Sequence, residues 1–180
     1  MSDARVPDAE EFAALVEGAR ERLRRFLSLT GAGDPEDLAQ QAVETAWRQR
    51  ERFDGRSSFS TWLFGIARNH ARNDRRKSRP DVGDPAPLEQ ARTPRGVFTS
   101  VLRRELAERM ELALGRLPHA FSEAFVLHHV EGLAFVEIAE IAGVTEATAR
   151  VRAHRARHLL RGELGEFDDG ALRIADPGGQ

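Results

Sequence analysis

Apolar residues recur every three or four positions along most of this chain, and strict alternation of apolar and polar residues is nearly absent. A spacing of three or four predicts amphipathic α-helices, because it gathers the apolar side chains on one face of a helix that has 3.6 residues per turn. Residues that favour helices, notably Ala, Leu, Arg and Glu, dominate the composition, while β-branched clusters are rare. The chain is therefore predicted to be all-α.

Three helices are predicted in the N-terminal part, the first over about residues 8–29. The second begins at Asp34-Pro35, where the aspartate can accept hydrogen bonds from free N–H groups and the proline suits the first helical position. It is predicted to run to about Arg52. A turn at Phe53-Asp54-Gly55 precedes a third helix over about residues 60–77. The apolar face predicted for this third helix consists of Phe59, Trp62, Leu63, Ile66, Ala67 and His70.

A proline-rich segment divides the chain into two parts. Residues 79–96 contain four Pro and two Gly with little apolar periodicity, which indicates a linker. We therefore predict two small helical domains, residues 10–78 and 99–163, joined by a flexible linker over residues 79–98. The Gly- and Asp-rich residues 164–180 are predicted to form a flexible tail.

The second domain is predicted to contain four helices. The first, over about residues 102–117, is ended by Pro118. The second, over about residues 121–127, is followed by Gly132 as its terminator. Two shorter helices follow, and they carry the clearest functional signal in the sequence.

The segment between Leu133 and Leu160 has the pattern of a helix-turn-helix. Gly143 ends the first helix, since glycine turns the chain at a helix end without a Cβ penalty, and Thr145 is predicted to cap the second helix. Ala139, four residues before Gly143, is small enough to let the two helices cross closely. The predicted inner face of the second helix consists of Ala149, Ala153, Ala156 and Leu160.

Basic residues are concentrated in two places, although the formal net charge is only −2. Residues 68–79 hold six basic residues against one acid, and residues 143–161 hold five Arg against one Glu. An arginine-rich outer face on the second helix of a helix-turn-helix suits contact with bases and phosphates in a DNA major groove. A plain helical hairpin with a solvated basic face is the alternative. The combination of Ala139, Gly143 and Thr145 favours the DNA-binding interpretation.

Several other classes of protein are disfavoured. Cys is absent, which excludes disulfides and thiol chemistry. No apolar run approaches the roughly 18 residues that span a membrane, and the acidic N-terminus lacks a signal-peptide core. We therefore expect a cytoplasmic protein with no membrane contact of its own. The six His show no metal-ligand spacing, and neither a phosphate-binding loop nor a nucleophile elbow occurs. We expect no catalytic residue, no metal and no cofactor.

Three stretches, taken together and in this order, are typical of one protein family: DPEDLAQQAVETAW (34–47), RFDGRSSFSTWLFGIARNHARNDRRK (52–77) and, after the linker, LPHAFSEAFVLHHVEGLAFVEIAEIAGVTEATARVRAHRAR (117–157). Together they resemble bacterial RNA polymerase sigma factors of the sigma-70 family, in the extracytoplasmic-function (ECF) group. The first is similar to the region that binds the clamp helices of the largest polymerase subunit. The second is similar to the region that melts and reads the minus-ten promoter element, and the third to the domain that binds the minus-thirty-five element.

The resemblance implies three sets of binding residues. Contacts with polymerase would come from Asp37, Leu38, Gln40, Gln41, Glu44 and Arg48. Contacts with the minus-ten element would come from Arg56, Ser57, Ser58, Phe59, Asn69, Arg72, Asn73, Arg75 and Arg76. Contacts with the minus-thirty-five element would come from Thr145, Thr148, Arg150, Val151, Arg152, His154, Arg155 and Arg157. Ordinary solvated surface is the alternative for the polar residues of the first set, and a core position is the alternative for Phe59.

The implied function is promoter-specific initiation, with core RNA polymerase and promoter DNA as partners. An anti-sigma factor is expected from the family alone. A linker of about 20 residues at up to ~3.3 Å each reaches at most ~65 Å. Two promoter elements about two duplex turns apart are separated by about 70 Å. Since each domain adds its own width to the reach of the linker, the chain is long enough to contact both elements at once. Many relatives carry an acid where this chain has Gln41, so that polymerase contact departs from the pattern. A stand-alone helix-turn-helix regulator is the competing hypothesis, but it leaves residues 34–77 unexplained.

Overall fold

The computed structural model describes residues 6–30, 33–78 and 101–164. All of the regular structure in these residues is helical: α1 (Ala9–Leu29), α2 (Pro35–Arg48), a 3-10 turn (Arg50–Arg52), α3 (Phe59–Ser78), α4 (Val101–Arg116), α5 (His119–Phe125) with a π turn (Val126–Val130), α6 (Phe135–Ala142) and α7 (Glu146–Leu164). The all-α prediction is confirmed. The predicted linker and all but the first residue of the predicted tail lie outside the described residues.

Helices α1, α2 and α3 pack on one another and form an N-terminal unit. Its interior contains the edge-to-face ring pairs Phe12–Phe59 and Phe26–Phe64, with ring centroids 5.4 and 5.3 Å apart. The predicted N-terminal cap of α2 forms, and α1 has a cap that was not predicted. The Asp34 carboxylate accepts hydrogen bonds from the first turn of α2, and Asp8 does the same for α1, as part of a reciprocal capping box.

The end of α2 differs from the prediction. The helix ends at Arg48, and residues Arg50–Arg52 form a 3-10 turn where a continuous helix to Arg52 was expected. The guanidinium of Arg50 lies 4.1 Å from the centre of the Trp47 ring and donates to the Trp47 carbonyl oxygen at 3.0 Å. This local contact tightens the last turn, and helical periodicity does not encode it.

Helices α4 to α7 form a C-terminal unit, in which α7 packs on α5, α6 and α4. The second helix of this unit begins at His119, two residues before the predicted start, and it continues as a π turn that the sequence did not predict. In this turn the Glu131 N–H donates to the Val126 carbonyl oxygen at 2.9 Å. Gly132 then adopts a positive φ of 70°, which ends the element as predicted.

The two units touch one another directly. Helix α3 packs on α6, and α1 approaches both α4 and the π turn. Several of the contacts are polar, and they include ion pairs from Arg22 and Arg25 to Glu131 and from Arg68 to Glu123. These pairs join residues that are far apart in sequence, so no local pattern predicts them.

Candidate nucleic-acid interface

The turn of the helix-turn-helix forms as the sequence predicts. Gly143 adopts the left-handed conformation (φ 65°, ψ 40°) at the end of α6, and the Val144 N–H donates to the Ala139 carbonyl oxygen at 3.0 Å. The Thr145 hydroxyl accepts from the Thr148 N–H at 3.2 Å and so caps α7. Helix α6 begins at Phe135, two residues after the predicted start, where Glu137 accepts from the Ala134 N–H at 2.9 Å.

Helix α7 turns its alanine stripe into the protein and its arginines outward. The predicted inner residues Ala149, Ala153, Ala156 and Leu160 are all buried, with exposures of at most 1%. Small side chains on this face let α7 lie close to its neighbours. Arg150, Val151, His154 and Arg155 are exposed, while Thr148, Arg152 and Arg157 are partly exposed. The helix therefore presents cations and hydrogen-bond donors to the outside.

Arg150 is held in place by two neighbours. Its guanidinium lies 2.6 Å from the Glu146 carboxylate and 4.8 Å from the centre of the Phe135 ring. The Phe135 ring is itself stacked on His128, with centroids 4.0 Å apart. The sequence interpretation missed Phe135, although an aromatic residue at the start of the first helix of a helix-turn-helix was a usable signal. This aromatic support pre-orients Arg150 at the N-terminal end of α7.

A second polar face lies on α3. Asn69, Arg72, Asn73 and Arg76 are exposed, and their spacing of three and four places them on one side of the helix. An open groove between α2 and α3 adjoins this face, and it is lined in part by His70, Asn73, Arg76 and Lys77. The Asn side chains offer both donors and acceptors, and the arginines offer cations. This face is able to contact bases and phosphates together.

The loop before α3 is exposed and partly ordered by its own side chains. Arg56 pairs with Asp54 at 2.5 Å, and hydrogen bonds from the Arg56 backbone N–H and guanidinium lower the pKa of Asp54. The Ser58 hydroxyl accepts from the Thr61 N–H at 3.1 Å. Ser57 is half-buried.

Two residues of the predicted minus-ten set lie elsewhere. The Phe59 ring is buried and packs on Phe12, so Phe59 is a core residue in this structure. Arg75 turns away from the exposed face of α3. It donates to the Thr30 carbonyl oxygen at 2.9 Å and contacts His119 of the other unit, with Nη1 3.1 Å from Nδ1. The cause is a contact between the two units, which helical spacing does not reveal.

The predicted polymerase-binding face on α2 is exposed with one exception. Asp37, Gln40, Gln41, Glu44 and Arg48 all reach solvent. They are linked by side-chain contacts along the helix: Gln41 to Asp37 at 2.8 Å, Gln40 to Glu44 at 3.3 Å and Arg48 to Glu44 at 3.5 Å. Leu38 departs from the prediction, because it is 3% exposed and belongs to the core.

Trp47 lies on α2 next to this polar face, and 38% of its surface is exposed. One edge of the ring contacts Phe12, at a centroid distance of 5.1 Å, while Arg50 covers a face. An aromatic ring beside the polar residues of α2 adds apolar contact area to this surface.

Acidification is expected to destabilise the folded chain through His119. Burial first, then the nearby Arg75 and Arg68, lower the pKa of His119 to about 3. The unfolded chain takes up this proton near pH ~6.5, so stability present above that pH is lost as the pH falls towards 3, by at most about 1.4 kcal/mol per pH unit. Urea unfolding at pH 7 and pH 5 measures the loss. In His119→Gln the loss should be smaller, and an identical pH dependence in both proteins would rule His119 out as its source.

Comparisons with known proteins agree with this geometry. The family model for sigma-70 region 2 matches residues 15–80, and the model for sigma-70 region 4 matches residues 107–160. The chain is 36% identical to the RNA polymerase sigma factor CarQ of Myxococcus xanthus over 74% of this chain and 76% of that protein. It is 34% identical to the ECF RNA polymerase sigma factor EcfG of Rhodopseudomonas palustris over 83% of this chain and 81% of that protein.

Two solved structures share the fold. CnrH, solved in complex with the cytosolic domain of CnrY, is 26% identical with a TM-score of 0.67, covering 89% of this chain and 92% of CnrH. The sigma factor RpoE, solved with the anti-sigma factor NepR from Bartonella quintana, is 24% identical with a TM-score of 0.65, covering 88% of this chain and 97% of RpoE.

The chain therefore belongs to the sigma-70 family of RNA polymerase sigma factors. Within that family it is an ECF sigma factor, a subunit that directs promoter-specific initiation of transcription. In the described part of the chain, no helix has the length and apolar character needed to cross a membrane. The same residues contain no cluster of three or more side chains suited to a metal ion.

Proposed function

We propose that this sigma factor binds its partners through three separate surfaces, one on α2, one on α3 and one on α7. The single observation that carries this proposal is the outer face of α7, where exposed arginines stand opposite a fully buried alanine stripe. The N-terminal unit, over about residues 10–78, would bind core polymerase and the minus-ten element. The C-terminal unit, over about residues 99–163, would bind the minus-thirty-five element.

The α7 surface is proposed to enter the major groove of the upstream element. Arg150 and Arg155 are exposed and one turn of helix or more apart, so each reaches a different base step. Guanine is the base that arginine binds with two hydrogen bonds. Val151, 49% exposed, has an apolar surface suited to the methyl group of thymine. Thr145, Thr148, Arg152, His154 and Arg157 are proposed to contact phosphates or neighbouring base edges.

The α3 surface is proposed to bind the single-stranded DNA that forms when the promoter opens at the minus-ten element. Asn69 and Asn73 lie one turn apart on the exposed face, where their amides can read base edges. Arg72 and Arg76 flank them and suit the phosphate backbone of single-stranded DNA. Arg56, Ser57 and Ser58 precede this face in the loop and are proposed to complete it. Arg75 would take part only after leaving its present contacts.

The α2 surface is proposed to bind the clamp helices of the largest polymerase subunit. Its exposed carboxylates Asp37 and Glu44 suit a basic partner, and the partly exposed Trp47 supplies an apolar anchor of the kind enriched at protein interfaces. Leu38, which is buried, would act by holding the helix in place and not by contact.

Replacing Asp37 and Glu44 together with lysine is expected to weaken binding to core polymerase by roughly tenfold, because like charges facing a partner cost free energy. Fluorescence anisotropy with purified core measures this affinity. Glu17 is an exposed carboxylate on α1, away from the α2 surface in sequence. Its replacement, Glu17→Lys, is the control and should bind core polymerase as the wild type does. Equal losses in both variants would point to a general effect of charge.

The assignment of surfaces is tested by separate readouts on the same promoter. Asn69→Ala with Asn73→Ala should leave affinity for core unchanged and reduce the opened duplex detected by permanganate. Ala at Arg150 and Arg155 should instead weaken promoter binding before opening. If each variant affected every step equally, the assignment of one step to each surface would be wrong.

The chain is further proposed to act without catalysis and without a cofactor, in the cytoplasm, where promoter DNA and polymerase are found. An anti-sigma factor is proposed as a regulatory partner. RpoE, whose fold this chain shares, was solved bound to the anti-sigma factor NepR. Affinity capture from the native organism, using the full chain, tests this partner directly.

A further inference from the structure

A row of contacting side chains connects the π turn with the N-terminal end of α7. The His128 ring is stacked on the Phe135 ring, with centroids 4.0 Å apart and an angle of 28° between the ring planes. The guanidinium of Arg150 lies 4.8 Å from the centre of the same Phe135 ring. The π turn, α6 and α7 each supply one of these three side chains. Phe135 therefore links the first helix of the helix-turn-helix to an exposed arginine on the second.

The His128 ring is fixed by a hydrogen bond to the backbone. Its Nδ1 lies 2.9 Å from the carbonyl oxygen of Leu133. A carbonyl oxygen only accepts hydrogen bonds, so Nδ1 carries the proton and donates. This bond spans the segment between the π turn and α6, and it holds the imidazole where it stacks on Phe135. The Phe135 ring is half-buried and also packs on the core, so its orientation does not depend on a bound partner.

Phe135 supports Arg150 without taking up its hydrogen-bond donors. The face of an aromatic ring attracts a cation, while the N–H groups of a guanidinium point outward in its own plane. The Glu146 carboxylate, 2.6 Å from Arg150, accepts a hydrogen bond from one of those N–H groups and so competes with a base. Of these two neighbours, the ring is the one that can hold Arg150 while it donates two hydrogen bonds to guanine.

Arg155 offers a contrast on the same outer face of α7. Its side chain is exposed, as that of Arg150 is. Within the part of the chain that the structure describes, Arg155 has neither an ion pair nor an aromatic ring against its guanidinium. An arginine that is already held loses less side-chain freedom on binding than one that moves freely. The two arginines are equivalent in sequence pattern, but their surroundings differ.

We propose that Phe135 is a positioning residue for promoter recognition: its ring, supported by His128, holds Arg150 in the orientation that reads a base pair of the minus-thirty-five element. This inference rests on the proposed contact between α7 and that element. Phe135 acts through Arg150 and makes no base contact of its own. Sequence preference at one base pair therefore depends on a residue outside the helix that enters the groove.

A double-mutant cycle measures the coupling between Phe135 and Arg150. Phe135→Leu keeps an apolar side chain against the core and removes the aromatic face, and Arg150→Ala removes the guanidinium. Polymerase holoenzyme containing the full chain is titrated onto a promoter at which it initiates specifically. Phe135→Leu should weaken binding roughly two- to fivefold, the strength of a cation–π contact at an exposed site. In the Arg150→Ala background the same substitution should have no further effect.

A merely structural role for Phe135 gives a different pattern. Lost packing would weaken binding by the same factor with and without the Arg150 guanidinium, and so would a direct base contact from Phe135. Such an additive result would overturn the proposal. Phe135→Tyr keeps the ring and should bind as the wild type does. If Phe135→Tyr bound as weakly as Phe135→Leu, with its helical circular dichroism intact, the proposal would also be wrong.

Base substitutions in the promoter locate the effect. Arg150→Ala should lose discrimination at one base pair. Phe135→Leu should reduce discrimination at that same base pair, and His128→Leu should do so to a smaller degree. At the base pair identified in the same way with Arg155→Ala, both substitutions should leave discrimination unchanged. Equal losses at the two base pairs would contradict the positioning role, and wild-type discrimination in His128→Leu would contradict the support assigned to His128.

Failure of the proposed function has a separate signature. If Arg150→Ala bound the promoter as the wild type does, the contact of Arg150 with the upstream element would be absent, and the positioning role of Phe135 would fall with it. If Arg150→Ala weakened binding while Phe135→Leu did not, the contact through α7 would stand and only the role of Phe135 would be wrong.

Discussion

Replacing Leu160 with alanine is expected to destabilise the C-terminal unit by about 2–5 kcal/mol, the usual cost of removing a large buried side chain and leaving a cavity. Leu160 is 0% exposed and is the last residue of the inner stripe of α7. Because α7 packs on α5, α6 and α4, its loss would loosen the whole helix-turn-helix. Denaturant unfolding followed by circular dichroism measures the change, and binding to the upstream element should weaken in parallel.

The neighbouring leucine provides the control for this experiment. Leu159 is 43% exposed, so Leu159→Ala removes the same atoms from a site that is already partly solvated. Its cost should stay within about 1 kcal/mol. Equal destabilisation by the two substitutions would show that the orientation of α7 described above is wrong.

Promoter binding is expected to fall by about 1–3 kcal/mol, or roughly 5- to 150-fold, when Arg150 or Arg155 is replaced with alanine. Both side chains are exposed on the outer face of α7. The pair between Arg150 and Glu146 does not prevent the contact, because both side chains are more than half exposed, at 62% and 51%, and water screens their attraction. Electrophoretic mobility shift with polymerase holoenzyme measures the affinity.

The specificity of that loss distinguishes two kinds of contact. A residue that reads a base should lose affinity for the correct sequence and lose discrimination at one position. A residue that binds phosphate should lose affinity for all sequences alike and reduce the salt dependence. Arg161→Ala, exposed near the C-terminal end of α7, is the control and should change affinity less than about twofold. If both Arg150→Ala and Arg155→Ala bound the promoter as tightly as the wild type does, α7 would not be the helix that contacts the upstream element.

Local signals in the sequence predicted the local structure well. The caps at Asp34 and Thr145, the left-handed glycine at 143 and the inner stripe of α7 follow from hydrogen-bonding capacity, backbone freedom and helical period, which act within a few residues. The polar faces of α2 and α3 are exposed for the same reason, because the period of the helix separates them from the apolar residues.

Features that depend on distant contacts were not predictable from the same signals. Arg75 has the spacing and charge of a DNA contact, yet its guanidinium contacts His119 of the other unit. Leu38 and Phe59 point into the core; helical period alone placed Phe59 on an apolar face, and it was the family resemblance that assigned both residues to binding sets. The burial of Glu131 depends on its pairs with Arg22 and Arg25 of α1, which no local pattern reveals, and no local pattern predicted the π turn after Phe125.

Promoter-specific initiation by this protein is tested by transcription with purified core RNA polymerase, with and without the protein, on a library of promoters from its own genome. We expect no specific transcripts from core alone and, with the protein added, starts at a fixed distance downstream of two elements separated by about two duplex turns. Tight binding to a single operator by the protein alone, with no specific initiation in the presence of core, would show that the chain is a stand-alone regulator and does not act as an initiation subunit.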